Sequence, residues 1–243
     1  MSASSLSGAG GRTIHRGHHA EPTQASTRRA LTALSHELHR RGWVANHDGN
    51  ASVRLPGGRY LLTPTAMSKR VLVDSDLIVI DRVGRVLQGQ RRPFSEWALH
   101  GAVLDARPDV MAVVHAHPPA ATALAVMGIE VQPQMLAEAV ISIGDRVPMV
   151  AYALPGSAAQ VAALGDAAVT YDAATLEHHG VFTWGDDVEM ALLRMELVEH
   201  LASIALRALA LGPLRTLPAA DVRELLTRRT RAGLGAEART RRP

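Results

Sequence analysis

Two histidines stand at i and i+2 where an apolar run ends, in Val113-Val114-His115-Ala116-His117-Pro118-Pro119. On a strand, side chains two apart leave the same face, so both imidazoles can reach one ion at the strand's end. A catalytic metal of this kind wants three protein ligands and an open position. A second cluster, Glu177-His178-His179-Gly180, follows another short apolar run, 173–176, and supplies candidates for the third ligand. A carboxylate precedes both clusters in Pro93-Phe94-Ser95-Glu96-Trp97. Ser95 reads as a helix N-cap and puts Glu96 in the first turn, where the helix dipole favours an ionised acid. An ion beside such a carboxylate can polarise a carbonyl and let the carboxylate move a proton.

Two turns complete the chemistry-bearing residues. Asp48-Gly49-Asn50-Ala51-Ser52-Val53-Arg54 and Thr63-Pro64-Thr65-Ala66-Met67-Ser68 are rich in hydroxyls, amides and free backbone N–H groups. Such turns can hold a phosphate or carboxylate, although each alone also reads as ordinary turn chemistry.

Composition excludes several alternatives. The chain has no Cys, which removes thiolate sites and disulfides and fits a reducing cytoplasm. Lys69 is its single lysine, set in a polar Ser-Lys-Arg stretch, so Schiff-base chemistry has one poor candidate and a metal is the better electron sink. No run reaches the roughly 20 apolar residues of a membrane span, and the N-terminus lacks a signal-peptide core. The pI of about 9.9 suggests nucleic acid, but the charge is at the ends. Residues 1–29 hold four Arg and one Glu, and residues 228–243 hold six Arg and one Glu, which sum to +8 against +3 for the chain. Residues 30–227 therefore carry −5, and a nucleic-acid partner is not expected.

The elements that must position these residues read in order. Residues 1–25 are Ser/Gly/His-rich and expected disordered, with His15, His18 and His19 in a solvated tail. Ser26 or Thr27 caps a helix to about Arg41, with Ala30, Leu31, Leu34 and Leu38 as its stripe. Gly57-Gly58 and Gly84 close hairpins. A helix runs from Ser95 to about Ala106, a strand from Met111 to His115, and a helix from Pro119 to Met127. A strand follows at 147–152, a helix capped near Ser157 to about Leu164, and a strand at 173–176. A long helix over about 187–211 has so little polar surface that it must be buried on several sides or lie in a subunit interface. A last helix spans 218–230. Hairpins interleaved with helices predict one α/β domain over 26–230, a mixed sheet with helices on its faces, followed by an Arg-rich tail at 231–243 that is expected to fray into solvent.

The blocks Gly-Asn-x-Ser-x-Arg (49–54), Thr-Pro-Thr (63–65), Ser-Glu-Trp (95–97), His-x-His-Pro (115–118) and His-His-Gly (178–180) resemble, in order and spacing, the class II aldolase/adducin family. The resemblance covers about residues 28–215. It implies a three-layer α/β/α sandwich with a central mixed, largely antiparallel sheet, and a homotetramer with active sites between subunits. It also implies one divalent ion, zinc with manganese or cobalt as alternatives, held by His115, His117 and His179. His179 is preferred to His178 because it directly precedes the glycine. Glu96 becomes the catalytic carboxylate, and Asn50, Thr65, Ala66 and Ser95 the substrate-anion cradle. The implied activity is carbon–carbon lyase chemistry of aldolase type, beside a metal-chelated carbonyl or enediolate of a small hydroxy-carbonyl compound.

The chain departs from the family's sugar-phosphate aldolases in three places. Phe94 stands where they have a second serine, and Ala66 where they have glycine. Their proton-donating tyrosines have no counterpart, since tyrosine occurs only at 60, 152 and 171 and the loop after His-x-His reads Gln134-Met135-Leu136-Ala137-Glu138. These departures keep open a metal-dependent decarboxylase acting on an unphosphorylated keto or hydroxy acid. A non-catalytic adducin-like interaction domain is the competing class.

Overall fold

The computed structural model describes residues 23–240. Among the described residues eight strands form one sheet: β1 (Asn50–Leu55), β2 (Arg59–Leu62), β3 (Ile78–Ile80), β4 (Val86–Gln88), β5 (Ala112–Ala116), β6 (Met149–Val150), β7 (Ala173–Leu176) and β8 (Gly180–Gly185). Their order is β4-β3-β2-β1-β5-β8-β7-β6. Only β6–β7 is parallel, so the sheet is mixed and largely antiparallel as expected. Gly57 and Gly58 both take left-handed φ, 75° and 66°, which closes the β1–β2 hairpin.

The helices are α1 (Gln24–Arg40), α2 (Trp97–Ala106), α3 (Pro119–Val126), α4 (Ala137–Ile143), α5 (Ala158–Thr170), α6 (Val188–Leu209), α7 (Ala219–Arg231) and α8 (Gly235–Thr240). Leu31, Leu34 and Leu38 of α1 pack with Leu124 of α3 and Met195, Val198 and Leu201 of α6 against one face of the sheet. Leu99, Val103 and Leu104 of α2 pack with Leu164 and Ala168 of α5 against the other. Both sheet faces are covered, so β1, β5 and β8 alternate between two cores rather than between core and water. On β5, Ala112, Val114 and Ala116 face the first core, while Val113 faces the second. Five of the chain's eight aromatic residues (Tyr60, Phe94, Trp97, Phe182 and Trp184) lie in the α2/α5 core. His115 shares that face.

Several boundaries differ from expectation. The α1 cap is Thr23, whose Oγ1 accepts the Ser26 N–H at 3.1 Å. Ser26 and Thr27 instead donate their hydroxyls back to the Thr23 carbonyl. The strand expected over 147–152 shrinks to two residues, Met149 and Val150, the only ones of the run that pair with β7. Helix α5 runs six residues further than expected, to Thr170. The short helices α4 and α8, of seven and six residues, were unanticipated. In α6, Ala191, Met195, Val198, Leu201, Ala202 and Ala205 are buried, while Leu193 is exposed.

The C-terminal segment is not a fraying tail as far as Thr240. Asp172, fully buried at the start of β7, faces Arg107, Arg194, Arg229 and Arg239. The Arg229 Nη2–Asp172 Oδ2 distance is 2.6 Å. A buried carboxylate needs charged partners, and it recruits two arginines that composition assigns to the basic tail. The N-terminal expectations for residues 1–22 lie outside the described residues, as do residues 241–243.

Candidate active site

His115 is the penultimate residue of β5. Its ring stacks on Phe182, with centroids 4.2 Å apart and planes at 17°. Its Nδ1 lies 3.0 Å from the Val181 carbonyl, which makes Nδ1–H the donor and leaves the Nε2 lone pair facing outward. His117 follows just past the strand, where its backbone N–H donates to the Trp43 carbonyl at 2.8 Å. The two Nε2 atoms are 3.1 Å apart. A tetrahedral ion with bonds of about 2.0–2.1 Å places its ligand atoms roughly 3.3 Å apart.

His179 enters from the β7–β8 turn. Its ring centroid is 4.8 Å from that of His115 and 5.3 Å from that of His117. One nitrogen from each of the three rings lies within 4.8 Å of the others, so the trio could hold a metal ion. Burial pushes the His115 imidazole down to about 3 and also lowers His117, a shift toward the neutral form that ligation uses. His178 takes a left-handed φ of 56° and is exposed, its ring against Tyr152. That turn sends His178 outward and His179 inward. Gly180 is required by the geometry: a Cβ there would stand 2.5 Å from His117 Cδ2 and 2.6 Å from the Ala116 carbonyl.

Glu96 is the cap residue of α2 rather than a first-turn acid, and Ser95 makes no cap bond. The Glu96 carboxylate faces the imidazoles. Its Oε1 is 3.1 Å from His179 Nε2 and 3.7 Å from His115 Nε2, and its Oε2 accepts the Asn50 amide at 2.6 Å. Burial would raise the Glu96 carboxyl, but His115 and the donors on His179 and Asn50 outweigh it, and the group sits well below the usual carboxylate range.

His100 was not anticipated. It is fully buried one turn after Glu96 on α2, with Nε2 2.5 Å from Asn50 Oδ1 and Nδ1 2.8 Å from Ser52 Oγ. The Asn50 oxygen must accept, so Nε2 carries the proton and Nδ1 accepts the serine hydroxyl. The chain Ser52–His100–Asn50 thus aims one amide N–H at Glu96. Its signals in the sequence were the i, i+2 spacing of Asn50 and Ser52 and the i, i+4 spacing of Glu96 and His100.

The cradle residues divide. Asn50 is buried and committed to Glu96 and His100. Thr65, Ala66 and Ser95 lie on two neighbouring loops, joined by the Thr65 N–H to the Arg92 carbonyl at 3.0 Å. Ala66 is exposed and keeps a left-handed φ of 55°. Phe94 is buried on His100, 4.8 Å between centroids, and so braces the site. Arg54 of the first motif is structural, donating to the carbonyls of Leu104 and Val110.

The fold and site define a class: a three-layer α/β/α protein whose sheet end gathers three histidines and a carboxylate. The chain belongs to the class II aldolase and adducin family, whose N-terminal-domain model matches residues 29–206. A 5-methylthioribulose-1-phosphate/5-deoxyribulose-1-phosphate aldolase of Rhodospirillum rubrum is 34% identical over 178 residues, 73% of this chain and 79% of that protein. A methylthioribulose-1-phosphate dehydratase of Gluconacetobacter diazotrophicus is 30% identical, covering 72% and 90%. Among solved structures, an L-fuculose 1-phosphate aldolase superposes with a TM-score of 0.77 at 25% identity, covering 84% of this chain and 96% of that one. Among the described residues no helix is long and apolar enough to cross a membrane.

Proposed function

We propose that this chain is a divalent-metal-dependent carbon–carbon lyase of aldolase type, acting on a small hydroxy-carbonyl compound that carries an anionic group. The observation that carries the reading is the Glu96 carboxylate, whose Oε1 lies 3.1 Å from the His179 Nε2 of a three-imidazole cluster. His115, His117 and His179 are the proposed ligands of one ion, zinc by preference, with manganese or cobalt suiting the same donors. When bound, that ion supplies Lewis-acid withdrawal of electrons from the substrate carbonyl. Glu96 takes or returns the proton at the adjoining carbon through Oε1, while Asn50 holds Oε2. Thr65, Ala66 and Ser95 bind the substrate anion. Exposed Leu154 and exposed Tyr152, whose ring lies against His178, suit coverage by a neighbouring subunit in a homotetramer with sites between subunits. The proposed compartment is the cytoplasm.

The test is Glu96→Gln with metal content measured in parallel. Turnover should fall about 10²–10⁴-fold with the metal retained; near-wild-type turnover removes Glu96 from the chemistry. A second reading, decarboxylation or elimination beside the same carbonyl, draws on the 134–138 segment, which has no phenol to protonate an aldehyde oxygen, and on the relative named a dehydratase. Metal-loaded protein screened on hydroxy-carbonyl phosphates and on keto acids separates the readings. Aldehyde release supports the first, and carbon dioxide or loss of water without aldehyde supports the second.

A further inference from the structure

The three imidazoles are not supported alike. The second nitrogen of His115 is fixed by the Val181 carbonyl. His117 turns Nε2 toward His115 and Nδ1 toward Asp48, whose Oδ2 is 3.9 Å away. A metal-ligating histidine keeps its ring orientation through the nitrogen that does not touch the metal, and a carboxylate is a common partner there. The gap exceeds a hydrogen bond, but the Asp48 side chain is 45% exposed and has room to rotate onto Nδ1.

The turn bearing Asp48 is tightly held. The Asp48 N–H donates to the Ala45 carbonyl at 2.8 Å. Gly49 takes a φ of +69° and lies so close to Val44 and the His115 carbonyl that no side chain fits. Lys69 reaches this turn from the other loop. It is the only lysine of the chain and is 2% exposed. Its Nζ donates to the His47 carbonyl at 3.3 Å and to the Met67 carbonyl at 3.1 Å. Burying an ammonium is costly, and burial pushes Lys69 down to about 8 while the nearby Asp48 charge acts in the opposite sense. A cation placed only for solubility would stand in water. This one ties the carbonyl next to Asp48 to the turn that carries Thr65 and Ala66.

We propose that Asp48 and Lys69 are positioning residues for His117: Asp48 accepts the Nδ1–H and fixes the ring, and Lys69 holds the turn that presents Asp48. The inference rests on the three-histidine reading above. Its test is zinc affinity, measured by competition with a chromophoric chelator on the full chain. Asp48→Asn should weaken binding about ten- to a hundredfold. In a His117→Ala background the same change should add nothing, since the ring it orients is gone. Lys69→Met, similar in size and apolar, should also weaken zinc binding with the far-ultraviolet circular dichroism unchanged. Affinity of Asp48→Asn within twofold of the parent, an equal loss in both backgrounds, or unaltered affinity in Lys69→Met overturns the proposal. If His117→Ala itself leaves zinc affinity intact, the three-histidine reading fails instead.

Discussion

At the scale of single residues, the site depends on which atom faces which. Glu96 has one oxygen held by Asn50 and the other turned to the imidazoles. Asn50→Ala removes one of the donors that keep the carboxyl low, so its pKa should rise. The acid limb of the pH–rate profile should then move to higher pH, because the ionised base is lost earlier as pH falls. The same change leaves the His100 Nε2–H buried without its acceptor, which should cost about 1–3 kcal/mol of stability. A pH–rate profile whose acid limb stays in place would remove Asn50 from control of Glu96. Ala66 makes a separate case. Its φ of 55° strains an L-residue by about 1–2 kcal/mol, so Ala66→Gly should raise the unfolding free energy by about 1 kcal/mol, read by denaturant titration. The pairing of His115 with His117 was legible in the sequence because strand parity alone puts them on one face. Their agreement with His179 came from a resemblance, and His100 stayed hidden because its i, i+4 spacing puts it on the helix face of Glu96 without showing which groups it touches.

Elements place these residues by parity and by glycine. β5 and β8 pair Ala116 with Val181 and His115 with Phe182, and the site forms where both strands end. Gly180 begins β8 directly under His117. Gly180→Ala should force the strand ends apart, cost about 1–3 kcal/mol by overpacking, and weaken metal affinity together with stability. Calorimetry and chelator competition check the two halves; loss of stability with full affinity would place the strain elsewhere. The hairpins, the long α6 and the apolar β5 were readable from turn glycines and periodicity. The ends of α2 and α1 were not, because Ser95 and Ser26 are good capping residues that the fold does not use as caps. There, Glu96 is turned toward the imidazoles and Thr23 is already in place one turn earlier. Strand β6 was overestimated because its apolar run continues past the two residues that find a partner.

At the scale of the whole molecule, the sequence's charge asymmetry has an internal answer. Arg229 and Arg239 come from the last helices, Arg107 from just past the end of α2 and Arg194 from α6, and all four converge on Asp172. One carboxylate thereby joins the C-terminal segment to the sheet, at the start of β7 and away from the histidines beyond its other end. Nothing in composition distinguishes an arginine bound for a buried acid from one bound for water, which is why the basic tail looked solvated. Burial raises the Asp172 carboxyl, but the four guanidiniums outweigh it and hold the group below its ordinary value. Its ionised form therefore contributes stability that is complete above about pH 4 and is lost as pH falls through the lower native value. Asp172→Asn keeps the shape and removes the charge, leaving four buried or half-buried cations facing an amide. Breaking a buried pair this way costs about 3–5 kcal/mol, a fall in Tm of roughly 6–20 °C for a chain of this size. The variant should also lose its share of the acid dependence, so that its Tm approaches the parent's as pH drops below about 4. With the C-terminal segment released, trypsin should cut after Arg229 or Arg231 before the rest of the domain is attacked. A Tm within about 2 °C of the parent at neutral pH, with no early cleavage, would show that the arginines hold that segment through the carbonyls of Ile141, Val169 and Thr170 and not through the charge of Asp172.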